Sequence, residues 1–404
     1  MPNLPLNQTR LLAISDAAPS RNGAGAYYLD LLEQMDGRLK KTALYSPTID
    51  EQGKWHAGIA LPLPGDKTQK LCFPNPREMS KLFDEIKPDI VVIATPGVYG
   101  IVGAWMARRR KIPYLTGMHT SFEQLTELYW PDSLQGKIVE KYFNLSNGFL
   151  FRHTEAVLGN AEPIVEQAKA MGAPDTRLIG TPLSSKFVNP AYKPHRGTLA
   201  SCLFAGRLAK EKNLEALLKS VVDFPDIKFS IAGDGPLREQ IIKASSQYTN
   251  LNYLGWLSRE ELRKTLDKHD ALLLPSHFET FGTVALEAMV REKLVFVSKG
   301  CGITYWSRLL PGLIIIDESG LSRAIKHVLR KTPEERKEIA STANSLAIAW
   351  NNNVLNQWNL IISETIRDYT DKSDTDRPEP EIPKPVNPES ETTEPEKSDS
   401  EMVS

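Results

Sequence analysis

Cysteine is scarce in this 404-residue chain. Cys72, Cys202 and Cys301 stand alone with no Cys-x-x-Cys spacing, so neither a disulfide framework nor a zinc-thiolate centre is expected. Net charge is nearly absent, at −1. No nucleic-acid-binding motif occurs, so a nucleic-acid partner is not expected. The start, Met1-Pro-Asn-Leu-Pro5, lacks the basic-then-apolar order of a secretory leader, and a reducing cytoplasm is the expected location. No apolar run reads cleanly as a membrane span. Ile90 to Ala107 is 18 residues without a charge and precedes Arg108-Arg-Arg-Lys111. Thr95-Pro96-Gly97, Gly100 and Gly103 break it, so strand, turn and amphipathic helix are expected instead.

What is present is uneven. Residues 1–185 hold 20 basic and 19 acidic side chains, residues 186–370 hold 25 and 20, and residues 371–404 hold 4 and 11. A mildly basic body suited to phosphorylated ligands or an anionic membrane surface therefore carries an acidic tail. No aromatic follows Tyr369, and Pro, Glu, Ser and Thr dominate from there, so 371–404 is expected to be disordered. Asp374-Thr-Asp376 has the form of a metal-binding DxD motif, but in such a tail it reads as coincidence.

The body alternates short apolar runs with helical patterns. Leu11–Ile14, Ile90–Ala94, Tyr114–Thr116 and Ala156–Gly159 form one series of expected strands. Ser201–Ala205, Lys228–Ala232, Leu251–Leu254, Ala271–Leu274 and Leu294–Ser298 form a second. Such alternation implies parallel sheets with crossover helices. Pro182 to Gly197, rich in Pro, Ser and Lys, reads as the connection. Two Rossmann-like domains facing a cleft are expected: 1–185, and 186–349, with 350–370 returning to the first. The last helices are expected over about 334–369.

The most informative stretch is Ser276-His-Phe-Glu-Thr-Phe-Gly-Thr-Val-Ala-Leu-Glu-Ala-Met289. Glu279 follows an expected buried strand, and Glu287 lies within two turns of an expected helix. Both carboxylates can then face one ligand. Between them Phe281, Gly282 and Thr283 offer backbone N–H groups near a helix N-terminus, where anions bind.

This pair resembles the Glu-x7-Glu motif of retaining glycosyltransferases of family 4, which have the GT-B architecture. Other segments match that family in order. Gly23-Ala-Gly25 resembles its Gly loop, interrupted by Ala24. Gly117-Met-His-Thr-Ser121 resembles its His loop. Ala205-Gly-Arg-Leu-Ala-Lys-Glu-Lys-Asn213 resembles its basic phosphate-binding segment, and Ile231-Ala-Gly-Asp-Gly-Pro-Leu237 its Gly-rich turn.

The resemblance implies a retaining transfer of a sugar from a nucleoside diphosphate sugar to an acceptor hydroxyl. Arg207 and Lys212 are expected to neutralise the departing diphosphate, Arg as a planar fork and Lys as a point charge. Glu279 is expected to bind donor-sugar hydroxyls, Glu287 the ribose, and His119 to act beside the sugar as hydrogen-bond donor or proton handler. The backbone of Gly23, Gly25, Phe281, Gly282 and Thr283 is expected to approach sugar or phosphate, and Gly235 the nucleotide. Asp234 is expected to cap the following helix. No metal or other cofactor is expected, since protein cations and dipoles can stabilise the leaving group.

By the same resemblance the acceptor lies on the N-terminal domain. Phe122, Leu125, Leu128, Tyr129, Trp130, Ile138, Tyr142, Phe143 and Phe149 alternate there with Lys137, Lys141 and Arg152. Such a face suits a lipid interface, and equally two ordinary core-facing helices. A lipid or cell-surface glycan acceptor and a peripheral position on the inner membrane face are therefore expected. Arg291-Glu-Lys293, and the absence of an acid in Gly300–Trp306, depart from the family and bear on base and sugar preference. Two other readings are weighed: a GT-B phosphorylase, and a non-catalytic sugar-nucleotide-binding scaffold.

Overall fold

The computed structural model describes residues 4–20, 23–50, 52–63, 66–119 and 133–373. The expected disordered tail lies outside them, apart from its first three residues. Two six-stranded parallel sheets form the frame. The first runs Thr176–Leu178, Val157–Gly159, Tyr114–Met118, Ile90–Ile93, Arg10–Ile14 and Lys41–Tyr45. The second runs Leu251–Gly255, Lys228–Ala232, Ser201–Ala205, Ala271–Leu274, Leu294–Ser298 and Ile314–Ile316. Within each sheet every pairing is parallel. This is an α/β fold with two Rossmann-like domains.

The central strands form because β-branched and apolar runs are covered on both faces. Ile90-Val-Val-Ile93 is wholly buried. Each of its side chains contributes about 1.5–3 kcal/mol relative to exposure. The segment that follows is a turn and then the helix Val98–Arg109, as its glycines implied, and no helix among the described residues is long and apolar enough to cross a membrane. All three cysteines are buried and unpaired.

The chain's last helices prove to be one. A single 41-residue helix, Pro333–Ser373, spans both halves and runs four residues past the expected end. Ala340, Ala343 and Ala347 pack it on the second half, and Trp358 Nε1 donates to Tyr27 Oη of the first half at 3.0 Å. One hydrophobic core runs through both sheets along this helix. The two halves are thus joined by apolar packing at the back, leaving polar chemistry to the strand ends.

Candidate functional site

The second half assembles most of the expected residues. After Ser201–Ala205 the chain turns at Gly206, whose N–H donates to Ala232 O at 3.1 Å. Leu208 N donates to Asp234 O at 3.0 Å, and Leu237 N donates to Leu208 O at 2.8 Å. The Arg207 loop is therefore stitched to the 233–237 turn. Gly235 has φ +155°, and a Cβ there would lie 2.6 Å from Leu208 O, so this contact requires glycine. Asp234 does not cap the next helix. Its Oδ1 accepts from Gly235 N at 2.9 Å, and the helix Arg238–Gln247 begins at Leu237 without a side-chain cap.

Lys210–Lys212 makes a single 3₁₀ turn, and Asn213 caps the helix Leu214–Asp223 from a left-handed conformation. Asn213 Nδ2 also donates to Pro275 O at 3.1 Å, and His277 N donates to Glu211 O at 2.8 Å. These bonds carry the acid loop up to the basic segment. Lys212 Nζ lies 2.5 Å from Glu279 Oε1, and both side chains are largely buried. Arg207 Nη1 stands 3.9 Å from Glu211 Oε1 in the same segment. Arg207, Lys212, Gly235 and Glu279 thus gather at the carboxyl ends of neighbouring strands, where open α/β sheets bind ligands.

Phe281, Gly282 and Thr283 lead into the helix Thr283–Val290. Gly282 is its N-cap, with φ +94°, and supplies no side-chain cap. Phe281 O accepts from Ile303 N at 2.8 Å, and the Phe281 ring is buried on Trp350, with centroids 6.2 Å apart. Glu287 lies in the helix Thr283–Val290. It is 1% exposed and accepts from Arg259 Nη1 at 2.5 Å, while Arg259 Nη2 reaches Asp30 Oδ2 of the first half at 2.5 Å. Burial raises the Glu287 pKa, with Arg259 opposing. Burial pushes Asp30 up to about 7; Arg259 holds it down and the Glu287 charge pushes it up.

In the first half, Gly23 and Gly25 lie inside the first turn of the helix Gly23–Met35, not in a loop before it. A Cβ at Gly25 would meet Ala17 O at 2.5 Å, so the turn can press on the 17–19 backbone only with glycine. Gly23 is exposed with open space beside it. Tyr28 of this helix places its hydroxyl 2.8 Å from His119 Nε2, and the Tyr27 ring lies 4.6 Å from the imidazole. His119 is buried, and burial pulls its pKa down to about 4. That shift favours the uncharged imidazole near neutral pH. Among the described residues its Nδ1 has no hydrogen-bond partner, which leaves one buried polar atom for a ligand. Thr120 to Trp130, with Phe122, Leu125, Leu128 and Tyr129, lie outside the described residues.

Arg291, one of the departures from the family pattern, is held against the connection between the halves. It is fully buried and binds Asp267 and the carbonyls of Phe187, Pro190 and Ala191 in the connection between the halves. Asp30, Arg259, Tyr28 and Trp306 were not singled out from sequence. Only Ser258-Arg-Glu-Glu261, a capping box, marked the start of the helix that carries Arg259. Trp306 Nε1 donates to Asn160 O of the first half at 3.2 Å and meets Trp350 edge-on at 4.5 Å.

Paired parallel sheets with cations and acids at their facing strand ends define a GT-B glycosyltransferase. Residues 189–345 match the model of Glycosyl transferases group 1 and residues 21–182 that of Glycosyltransferase Family 4, and the chain belongs to this family. It is 27% identical over 259 residues to the sulfoquinovosyl transferase SQD2 of Arabidopsis thaliana, covering 61% of this chain and 48% of that protein. It is 26% identical over 278 residues to the alpha-monoglucosyldiacylglycerol synthase of Streptococcus pneumoniae, covering 63% of this chain and 62% of that one. The matched stretches thus span about half to three-fifths of these relatives. Among solved structures, sucrose-phosphate synthase from Thermosynechococcus elongatus aligns with TM-score 0.67 at 14% identity, over 89% of this chain and 100% of that one. Anabaena Alr3699/HepE in complex with UDP-glucose aligns with TM-score 0.63 at 14% identity, over 86% and 99%.

Proposed function

We propose that this glycosyltransferase moves a hexose, with retention, from a nucleoside diphosphate sugar to a hydroxyl of a lipid acceptor at a membrane surface. The observation that carries the reading is the Lys212–Glu279 contact beside Arg207 at the strand ends. In this structure the cation and the acid satisfy each other. A donor diphosphate gives Lys212 and Arg207 a doubly charged partner, and Glu279 is released toward the sugar hydroxyls and the developing oxocarbenium. Glu287 takes the ribose. His119, uncharged, offers Nδ1–H to the sugar when Tyr28 donates to Nε2. The acceptor proton then goes to the departing phosphate oxygen, a stronger base than a histidine held near 4. No metal is needed in this scheme.

Donor identity is tested by thermal shift with UDP-, GDP- and ADP-sugars. The true donor at 100 times its Kd stabilises by about 2.7 kcal/mol, and the others leave the melting curve in place. NMR of the product then gives the anomer, and an inverted product rejects retention.

The lipid reading draws on two relatives whose names specify lipid chemistry or sulfoquinovosyl transfer, and on the helix Leu134–Phe151. Leu134, Ile138, Tyr142 and Leu145 are exposed along one stripe, with Lys137 and Lys141 exposed beside them. The hairpin Ile59–Leu63 with Asp66–Phe73 adds Ile59, Leu61 and Leu71, exposed on one face because Leu61 pairs with Leu71. Co-sedimentation with anionic vesicles at low salt is expected. Converting Lys137 and Lys141 to Ala removes about 1 kcal/mol each, weakening binding about thirtyfold. Equal binding to zwitterionic vesicles, or none to anionic ones, counts against a charged membrane surface.

A further inference from the structure

Arg259 holds both halves of the protein and an acid of the family motif. It is the first residue of the helix Arg259–Asp267, whose start is fixed by the reciprocal Ser258–Glu261 capping box. One guanidinium nitrogen is 2.5 Å from Glu287 Oε1, and the other is 2.5 Å from Asp30 Oδ2. The guanidinium also lies over the Phe187 ring at 5.1 Å, in the short helix Ser185–Val188 that joins the halves. Asp30 and Glu287 are both nearly inaccessible to water. Asp30 sits on the helix Gly23–Met35, whose first turn carries Gly23 and Gly25.

We propose that Arg259 is a positioning residue for the donor's ribose. It fixes the Glu287 carboxylate and, through Asp30, fastens that carboxylate to the first half. The proposal rests on Glu287 being the ribose acid. The physical reason is the fork. A planar guanidinium can hold two carboxylates on separate nitrogens at once, whereas a lysine ammonium is one compact charge on a flexible stem. With the fork engaged at both ends, the direction of the Glu287 lone pairs depends on where the helix Gly23–Met35 stands. Ribose recognition is then set only when the two halves are seated together. Neither Asp30 nor Arg259 is required to touch the reacting atoms.

The test is calorimetric binding of nucleoside diphosphates, with no turnover needed. The probe is whichever of UDP, GDP and ADP binds the wild-type protein, compared with its 2′-deoxy counterpart. The wild type is expected to favour the ribose form about tenfold, the scale of one hydrogen bond to a charged acceptor. Glu287→Gln should erase that preference. Arg259→Lys and Asp30→Asn should each reduce it to about twofold while leaving the affinity for the 2′-deoxy form unchanged, since only the one bond to the ribose hydroxyl is disturbed. Adding Asp30→Asn to Arg259→Lys should change nothing further, because both act through one contact. A general loss of structure would weaken both ligands equally, and melting curves check that each variant folds. If Glu287→Gln loses the preference while Arg259→Lys and Asp30→Asn keep it, the positioning role is rejected and the ribose reading stands. If Glu287→Gln keeps the preference, the ribose reading falls and this inference falls with it.

Discussion

Lys212→Ala lowers kcat by about 10²–10³-fold, the cost of removing one preorganised donor to developing charge, with the fold retained. In the proposed transfer charge accumulates on the diphosphate as the sugar leaves, and Lys212 is the ammonium already positioned at this loop by the Asn213 cap and the Glu211–His277 bond. The ammonium is already held at the loop by Glu279 and exchanges that partner for the diphosphate. Stability should fall by about 1–3 kcal/mol, because the largely buried Glu279 carboxylate loses its partner. Steady-state kinetics with the identified donor and a melting curve check both halves of this result. An unchanged kcat with a raised donor KM would mean that Lys212 binds ground state and transition state alike. Glu279→Ala is the companion: turnover lost with the fold intact supports the enzyme, while a scaffold would keep its biological role.

Arg291→Ala destabilises the protein by about 3–5 kcal/mol, the order expected when a large buried side chain is truncated and carbonyls lose their donor. Its Nε and Nη2 bind the two oxygens of Asp267 at 2.8 and 2.9 Å. Its Nη1 donates to Phe187 O and Pro190 O at 3.0 and 2.7 Å, and Nη2 donates to Ala191 O at 3.1 Å. The guanidinium also stacks over Tyr192 at 5.1 Å. Alanine leaves three linker carbonyls without this donor, and a cavity where the largest buried cation stood. Asp267 keeps Arg263 at 3.0 Å, so its charge is not abandoned. Arg291→Lys should recover less than half of the loss, because one ammonium cannot reach an acid and three carbonyls. Urea denaturation measures the difference. A loss under 1 kcal/mol would show that the connection holds itself.

Much of the frame was legible locally. Ala271–Leu274 and Leu294–Ser298 were readable as strands because they are buried on both faces and present continuous apolar runs. Lys41–Tyr45, Thr176–Leu178 and Ile314–Ile316 were not. They are half-exposed strands at sheet edges: Lys41–Tyr45 and Thr176–Leu178 present no continuous apolar run, and that of Ile314–Ile316 is only three residues long. At the site, Arg207, Lys212, Gly235 and Glu279 were readable because each follows a strand, and a parallel sheet puts all its carboxyl ends on one side. Their partnership was not readable. Nothing near Glu287 announces Arg259, and nothing near His119 announces the burial that keeps it uncharged.

The amino-acid order by itself determined the alternation of strands and helices, the capped helix starts and the family to which the chain belongs. Those depend on periodicity and hydrogen bonds within a few residues. Tertiary structure alone decided which charges meet. Asp30 and Arg259 are 229 positions apart, and Lys212 and Glu279 are 67 apart. Ion pairing falls off with distance through space, not along the chain, so only the packing of the two sheets could bring these groups together.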